Sequence, residues 1–264
     1  IIREGAYNDL TDAEKNALSR QLVEGPDLLV LQNVYVGPDF GIDFSAGDRY
    51  ELNEAVSLGV MGTVSYSNEW KTKDGVAGIG EFTSSKNSPV RFLGGDRTIT
   101  TNNIGTNALG AVGLEFYSGH EVQLLGFLSR STDKTASQFS GIDEDSPDTF
   151  RQDDELSWID RQLWTAQLAG ESNFETLSNL KINWRASYSE AERDAPYEFQ
   201  AGYTRDIDAE DLTFAASDTS IRNSNILDDT SDIAADVLLP LDLGVFPVDI
   251  KTGFSMIRKN RESS

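Results

Sequence analysis

From Leu180 to Ser189 apolar and polar side chains alternate one for one: Leu180, Ile182, Trp184, Ala186 and Tyr188 against Lys181, Asn183, Arg185, Ser187 and Ser189. A period of two puts the two sets on opposite faces of a β-strand. One face is bulky and aromatic, the other hydrophilic, so the strand separates an apolar phase from water. Two settings meet that description: a sheet packed on a soluble core, or a barrel wall between lipid and an aqueous lumen.

The same alternation recurs along the chain. Phe40, Ile42, Phe44, Ala46, Tyr50 and Leu52 share a face, as do Leu58, Val60, Val64, Tyr66 and Trp70, with a tight turn at Asn53-Glu-Ala55 between the two runs. Further strands are predicted over 106–117, 121–132, 157–172 and 180–193. A final hairpin pairs Ile233, Ala235, Val237 and Leu239 with Val248, Ile250, Phe254 and Met256. In 121–132 the period blurs, because Leu124, Leu125, Phe127 and Leu128 break it. Short turns at about 53–56, 118–120, 173–179 and 240–247 alternate with long polar connections at about 72–103, 133–156 and 194–230. Asp74-Gly75 marks a hairpin tip, and 76–83 extends a strand into the first connection. An up-and-down antiparallel sheet with its loops at one end follows, as in outer-membrane barrels. Strands of about 12 to 16 residues exceed the usual length in soluble sheets and suffice for a tilted membrane crossing. Tyr50 and Phe116 by the short turns, and Trp70, Trp158 and Tyr188 by the long connections, form two aromatic margins; Trp164, near a strand middle, does not fit them. The stretch 1–37 is predicted as a loop with one short helix, opened by the capping pattern Thr11-Asp-Ala-Glu14 and stopped at Gly25-Pro26, with a strand-like run at 28–36.

Composition narrows the chemistry. Forty-four acidic against 22 basic residues give a net charge of −22, which excludes a nucleic-acid partner. With no cysteine, thiolate metal sites and disulfides have no material, and with one histidine, His120, no Ser-His-Asp set is plausible; neither a cofactor nor an enzymatic activity is expected. His120, beside a tight turn, reads as a surface residue. The acidic run Asp143–Asp148 and the group Asp206, Asp208, Glu210 and Asp211 lack the spacing of a Ca²⁺ loop and read as solvated loops. Gly94-Gly95-Asp96 reads as a turn, and Asp160 and Arg161 as partners across neighbouring strands. No run of 18 apolar residues is present, which leaves a transmembrane barrel open.

Three stretches carry a family resemblance: Asp43-Phe-Ser-Ala-Gly-Asp-Arg-Tyr-Glu-Leu52, Leu58-Gly-Val running to Tyr66-Ser-Asn-Glu-Trp70, and Asn183-Trp-Arg-Ala-Ser-Tyr-Ser-Glu-Ala-Glu-Arg-Asp-Ala-Pro-Tyr197. Together with Lys251-Thr-Gly-Phe254 to Arg261, they resemble the barrel of TonB-dependent outer-membrane receptors of Gram-negative bacteria. The resemblance covers most of 38–261 and marks strands, not chemistry. It implies a partial wall of about eight to ten strands from a 22-stranded barrel, with the plug domain and its TonB-contacting segment absent. It implies a place in the outer membrane, a TonB-type energy-coupling protein acting through the missing plug, and a small nutrient such as a siderophore, cobalamin or an oligosaccharide as ligand. The channel would be lined by Arg49, Glu69, Glu115, Arg161, Glu171, Lys181 and Arg185, with ion pairing inside the barrel as their plainer role. A passive porin and a soluble all-β carbohydrate-binding module are the alternatives.

Overall fold

Alternating sequences of this kind leave backbone hydrogen bonds to be met by neighbouring strands, and the chain meets them in one sheet. The computed structural model describes residues 11, 31, 34–82, 89–116, 119–143, 146–209, 213–242 and 246–264. Eight strands follow one another: β1 (Phe40–Asn53), β2 (Val56–Phe82), β3 (Pro89–Phe116), β4 (His120–Asp143), β5 (Ser146–Phe174), β6 (Leu180–Asp206), β7 (Thr213–Asp242) and β8 (Pro247–Ser263). Each pairs antiparallel with the next, in the order β1 to β8, and β1 and β8 are not paired with each other. The sheet is therefore an open meander, not a closed barrel. The expected eight to ten strands resolve to eight, and the figure of 22 has no counterpart among them.

Strand length departs most from the sequence expectation. β2 to β7 run for 24 to 30 residues. The connections expected at 72–103, 133–156 and 194–230 are mostly strand: β2 continues to Phe82, β5 starts at Ser146 and β6 reaches Asp206. Gly94-Gly95-Asp96, expected as a turn, lies inside β3 and pairs with β4. Asp74-Gly75, expected as a hairpin tip, is paired through Thr98 and Arg97. Connections are thus short at both ends. The asymmetry lies in where the polar residues stand along the strands, not in loop length. The helix and the run at 28–36 fall largely outside the described residues; residues 31 and 34–39 are not strand.

The extended parts of the strands bury few apolar side chains, Ala195, Phe199 and Ala201 on β6 among the described residues, and cross-strand polar pairs help to hold them. Thr72 and Thr100 share a hydroxyl hydrogen bond at 3.0 Å, the Thr98 hydroxyl donates to Asp74 at 2.7 Å, and the Asn102 amide donates to Asn68 at 2.5 Å. Arg97 donates to Ser137 and reaches Glu155 at 3.3 Å.

Near the short-turn end the β5–β6 connection is a single 3-10 turn over Glu175–Leu177, closed by Ser178 and Asn179 at φ 59° and 57°. Both lie in the left-handed region, which asparagine tolerates better than serine.

Among the described residues no second layer covers the sheet. The buried apolar residues are Ala111, Ala195, Phe199, Ala201 and Ala234, four of them alanine, among the described residues. Tyr66, Ile182 and Trp184, which a two-layer fold would enclose, are partly exposed.

Candidate functional site

Paired residues of neighbouring antiparallel strands project to the same side, so the register assigns every side chain to a face. One row runs Tyr50, Leu58, Leu114, Val122, Gly170, Trp184, Ala235, Phe254. The next runs Asp48, Val60, Val112, Leu124, Leu168, Ala186, Ile233, Met256. These rows form an apolar belt across the sheet, interrupted on β1 by Asp48. It faces outward uncovered: Phe44, Leu124 and Phe254 are 67%, 52% and 62% exposed. Such a continuous exposed apolar area is foreign to a soluble surface.

The belt has a fixed height. It spans Val56 to Tyr66 on β2 and Val248 to Met256 on β8, about ten residues in each case, the length that crosses hydrocarbon when tilted. Its register also slides. The uppermost apolar residue is Tyr66 on β2 but Ile233 on β7, and Ile233 traces back through Ala186, Leu168, Leu124 and Val112 to Val60. Over five strands the upper margin thus descends by about six residues. The lower margin descends in the same sense, from Val56 to Leu241. A level apolar band crossing tilted strands has this staggered register.

Of the five aromatics assigned to the margins, Tyr50, Phe116 and Tyr188 stand at the belt's edges. Trp70 and Trp158 do not: they share a row with Asn102 and Lys134 beyond the belt. On β5 Trp158 lies six positions past Trp164, with the Lys134 ammonium 4.3 Å from its ring. Trp164 is the marginal residue that sequence reading misplaced. It meets Tyr188 at 5.2 Å between ring centroids and donates its indole N–H to Glu190 at 3.1 Å. His120 is not a plain surface residue either. Its ring lies 5.5 Å from Phe116, stacked, and 5.2 Å from Phe174, edge-on, at the lower margin of the belt.

All seven lumen candidates, Arg49, Glu69, Glu115, Arg161, Glu171, Lys181 and Arg185, share the opposite, polar face. The sheet joins only Arg49 and Glu115 among them, at 2.7 Å. Arg161 pairs with Asp133, and Arg185 with Asp232 at 2.8 Å, partners that alternation along a strand does not specify. Asp160 and Arg161 each pair across to β4 as expected, on opposite faces: Asp160 binds Arg130 at 3.2 Å and Thr132, and Arg161 binds Asp133. Glu115, Glu121 and Glu171 stand directly opposite one another on β3, β4 and β5. Beside them a cavity of about 280 Å³ is lined by Glu121, Gln123, Gln167, Asn183, Arg185 and Asp236.

The polar face is not uniform. Leu125 and Phe127, which blurred the period of β4, project into it next to Ala111 and Leu109, and Met61 completes the patch. Beyond the belt, Asp154 is buried, accepting hydrogen bonds from Gln138 and Gln152 at 3.0 Å. Burial pushes its carboxyl above the ordinary range against those two amides, and Asp153 adds to the rise. Partial burial also acts upward on Asp160, but hydrogen bonds from Thr132, Trp158 and Arg130, with the Arg130 charge, hold it below the ordinary range.

A scan of protein-family models finds no match to the chain, and a search of curated proteins finds none either.

Proposed function

We propose that the chain is a section of the wall of an outer-membrane β-barrel receptor of a Gram-negative bacterium, taking up a scarce small nutrient by TonB-type energy coupling. One observation carries this reading: an uncovered apolar belt about ten residues high whose register slides across the sheet. That belt fits acyl chains, and the charged opposite face fits a water-filled bore. The strands' polar continuation, tied by Thr, Asn and Arg–carboxylate pairs, is a rigid outer surface suited to meeting a ligand before it enters. The energy-coupling protein and the plug through which it would act come into this reading from the sequence resemblance alone.

Tryptophan quenching by brominated lipids tests the placement. Trp164 and Trp184 lie in the belt and should be quenched in vesicles; Trp70 and Trp158 lie beyond it and should keep their emission. Equal quenching of all four, or none, removes the lipid-facing assignment. Uptake is tested in cells: deleting the gene should abolish accumulation of one siderophore, cobalamin or oligosaccharide, and collapsing the proton gradient should do the same. Uptake indifferent to the gradient would favour a passive pore.

A further inference from the structure

Arg161 on β5 and Arg193 on β6 are paired residues, directly opposite each other on the polar face. Side chains so placed start about 5 Å apart, and like charges there repel. The two stand together in a chain with 44 acidic and 22 basic residues. Their own contacts do not balance them. Arg161 donates to Asp133, whereas Arg193 donates to the Ser224 hydroxyl at 3.0 Å, and the Glu198 carboxylate stands 4.0 Å from it. Each guanidinium carries five N–H groups and makes one hydrogen bond among the described residues. Asp228, close by on β7, has its charge already met by Arg261 through two hydrogen bonds of 2.6 Å.

Beside the pair lies a cavity of about 450 Å³, lined by β4 to β7 and touching neither edge strand. Ser131 stands opposite Arg161, and Ser129 opposite Leu163. Phe127, Leu163 and Ile226 give the cavity an apolar side on an otherwise hydrophilic face. Leu163 is 39% exposed there.

We propose that this pocket binds a small carboxylate with an apolar body. The carboxylate bridges Arg161 and Arg193, the serine hydroxyls donate to it, and the body lies against Phe127, Leu163 and Ile226. Guanidinium forks match carboxylate oxygens two by two. A bound anion also turns the repulsion between the arginines into attraction to a common charge. A bare hydrated ion would gain nothing from the apolar side, which is why the ligand carries a body as well as a head. The pocket's place in uptake rests on the proposed function, since it is there that the polar face becomes a bore; within that function it narrows the nutrient to an anion.

The test uses the intact protein purified in detergent. Benzoate is the probe, benzamide its uncharged counterpart, and inorganic phosphate an anion without an apolar body. Calorimetric titration should show benzoate binding about tenfold tighter than either of the others. Arg161→Gln and Arg193→Gln should each weaken benzoate about tenfold and leave benzamide unchanged. Arg49→Gln removes the same charge elsewhere on the face and should change benzoate by less than about twofold. If a variant does not fold, the unaltered protein answers: benzoate, and not benzamide, should slow phenylglyoxal modification of Arg161 and Arg193, read by peptide mass spectrometry, without protecting Arg49. Unchanged benzoate affinity in both folded variants, or no protection at either arginine, overturns the proposal. Phosphate binding as tightly as benzoate overturns the ligand class. Failure of the receptor reading looks different: tryptophans that quench alike in brominated lipid, with benzoate still bound, remove the bore and leave the pocket. Selective quenching of Trp164 and Trp184 with no benzoate binding removes the pocket and leaves the wall.

Discussion

The indole of Trp184 on β6 lies across Gly170 on β5, its paired residue, with ring atoms 2.6 to 2.7 Å from where a Cβ on that glycine would sit. The ring thus covers backbone that a side chain would otherwise cover, an aromatic compensation for glycine in a strand. Gly170→Ala should force the ring off its seat at a cost of about 1–3 kcal/mol. Thermal melting in detergent and a shift in Trp184 emission measure it; an unmoved emission spectrum would show that the ring does not rest there.

Leu124 and Leu125 are consecutive and point to opposite faces. Leu124→Arg places a charge in the belt and should cost about 2–4 kcal/mol in a bilayer, while Leu125→Arg faces the hydrated side and should cost clearly less. Urea unfolding in vesicles gives the difference. In a soluble protein an exposed leucine such as Leu124 would tolerate the change, so equal, small effects would argue against lipid on that face.

Glu115, Glu121 and Glu171 form a ladder of like charges, and among the described residues only Glu115 of the three has an ion-pair partner, Arg49. Like charges directly opposite destabilise by some tenths of a kcal/mol. Glu121→Gln should therefore stabilise the sheet slightly, more at low ionic strength than at high, as denaturant midpoints at two salt concentrations would show.

Asp154 and Asp160 should respond to acid in opposite directions. The folded chain holds the Asp154 proton above the value at which the unfolded chain releases it, so this residue's contribution falls as pH rises through its folded-state value. Asp160 holds its charge below the unfolded value, so its contribution is present at neutral pH and is lost as pH falls through the lower, folded value. Melting temperatures of Asp154→Asn and Asp160→Asn, followed from neutral pH into the carboxylate range, separate the two. Asp154→Asn should be stabilising or neutral at neutral pH, and Asp160→Asn destabilising there.

Ser178 occupies the left-handed region at φ 59° in the β5–β6 turn. Ser178→Gly removes the Cβ penalty and should stabilise the turn, by about 1 kcal/mol or less. Ser178→Val should do the reverse, as the two melting temperatures would show.

The belt was legible in the sequence because one side of each strand must be greasy and the other wet, and residues such as Ile182 and Lys181 record that choice one by one. The continuation of the strands was not legible. From Asn68 to Phe82, and again beyond Gln162 toward Ser146, polar residues stand at both odd and even positions, so no period of two is written in the sequence, and Thr72, Asp74 and Asn102 read as loop. Misplacing the strand ends moved everything measured from them. Trp164 looked central and Trp158 marginal because the true margin of the belt lies between them. Partner choice was out of reach for a different reason. That Arg161 takes Asp133 and Arg185 takes Asp232 depends on register between strands dozens of residues apart, which alternation within a strand does not specify.

The strand that leaves the belt at Asn68 does not turn until Phe82, some fifteen residues and roughly 50 Å further along. On the lipid-facing reading proposed above, a barrel-like tilt of about 40° would lift the hairpin tips nearly 40 Å above the lipid, several times the ~8 Å over which headgroup charge is felt in physiological salt. On that reading a solute arriving at those tips would meet the protein well before it senses the membrane, and first selection among passing molecules would fall to the crown of the sheet.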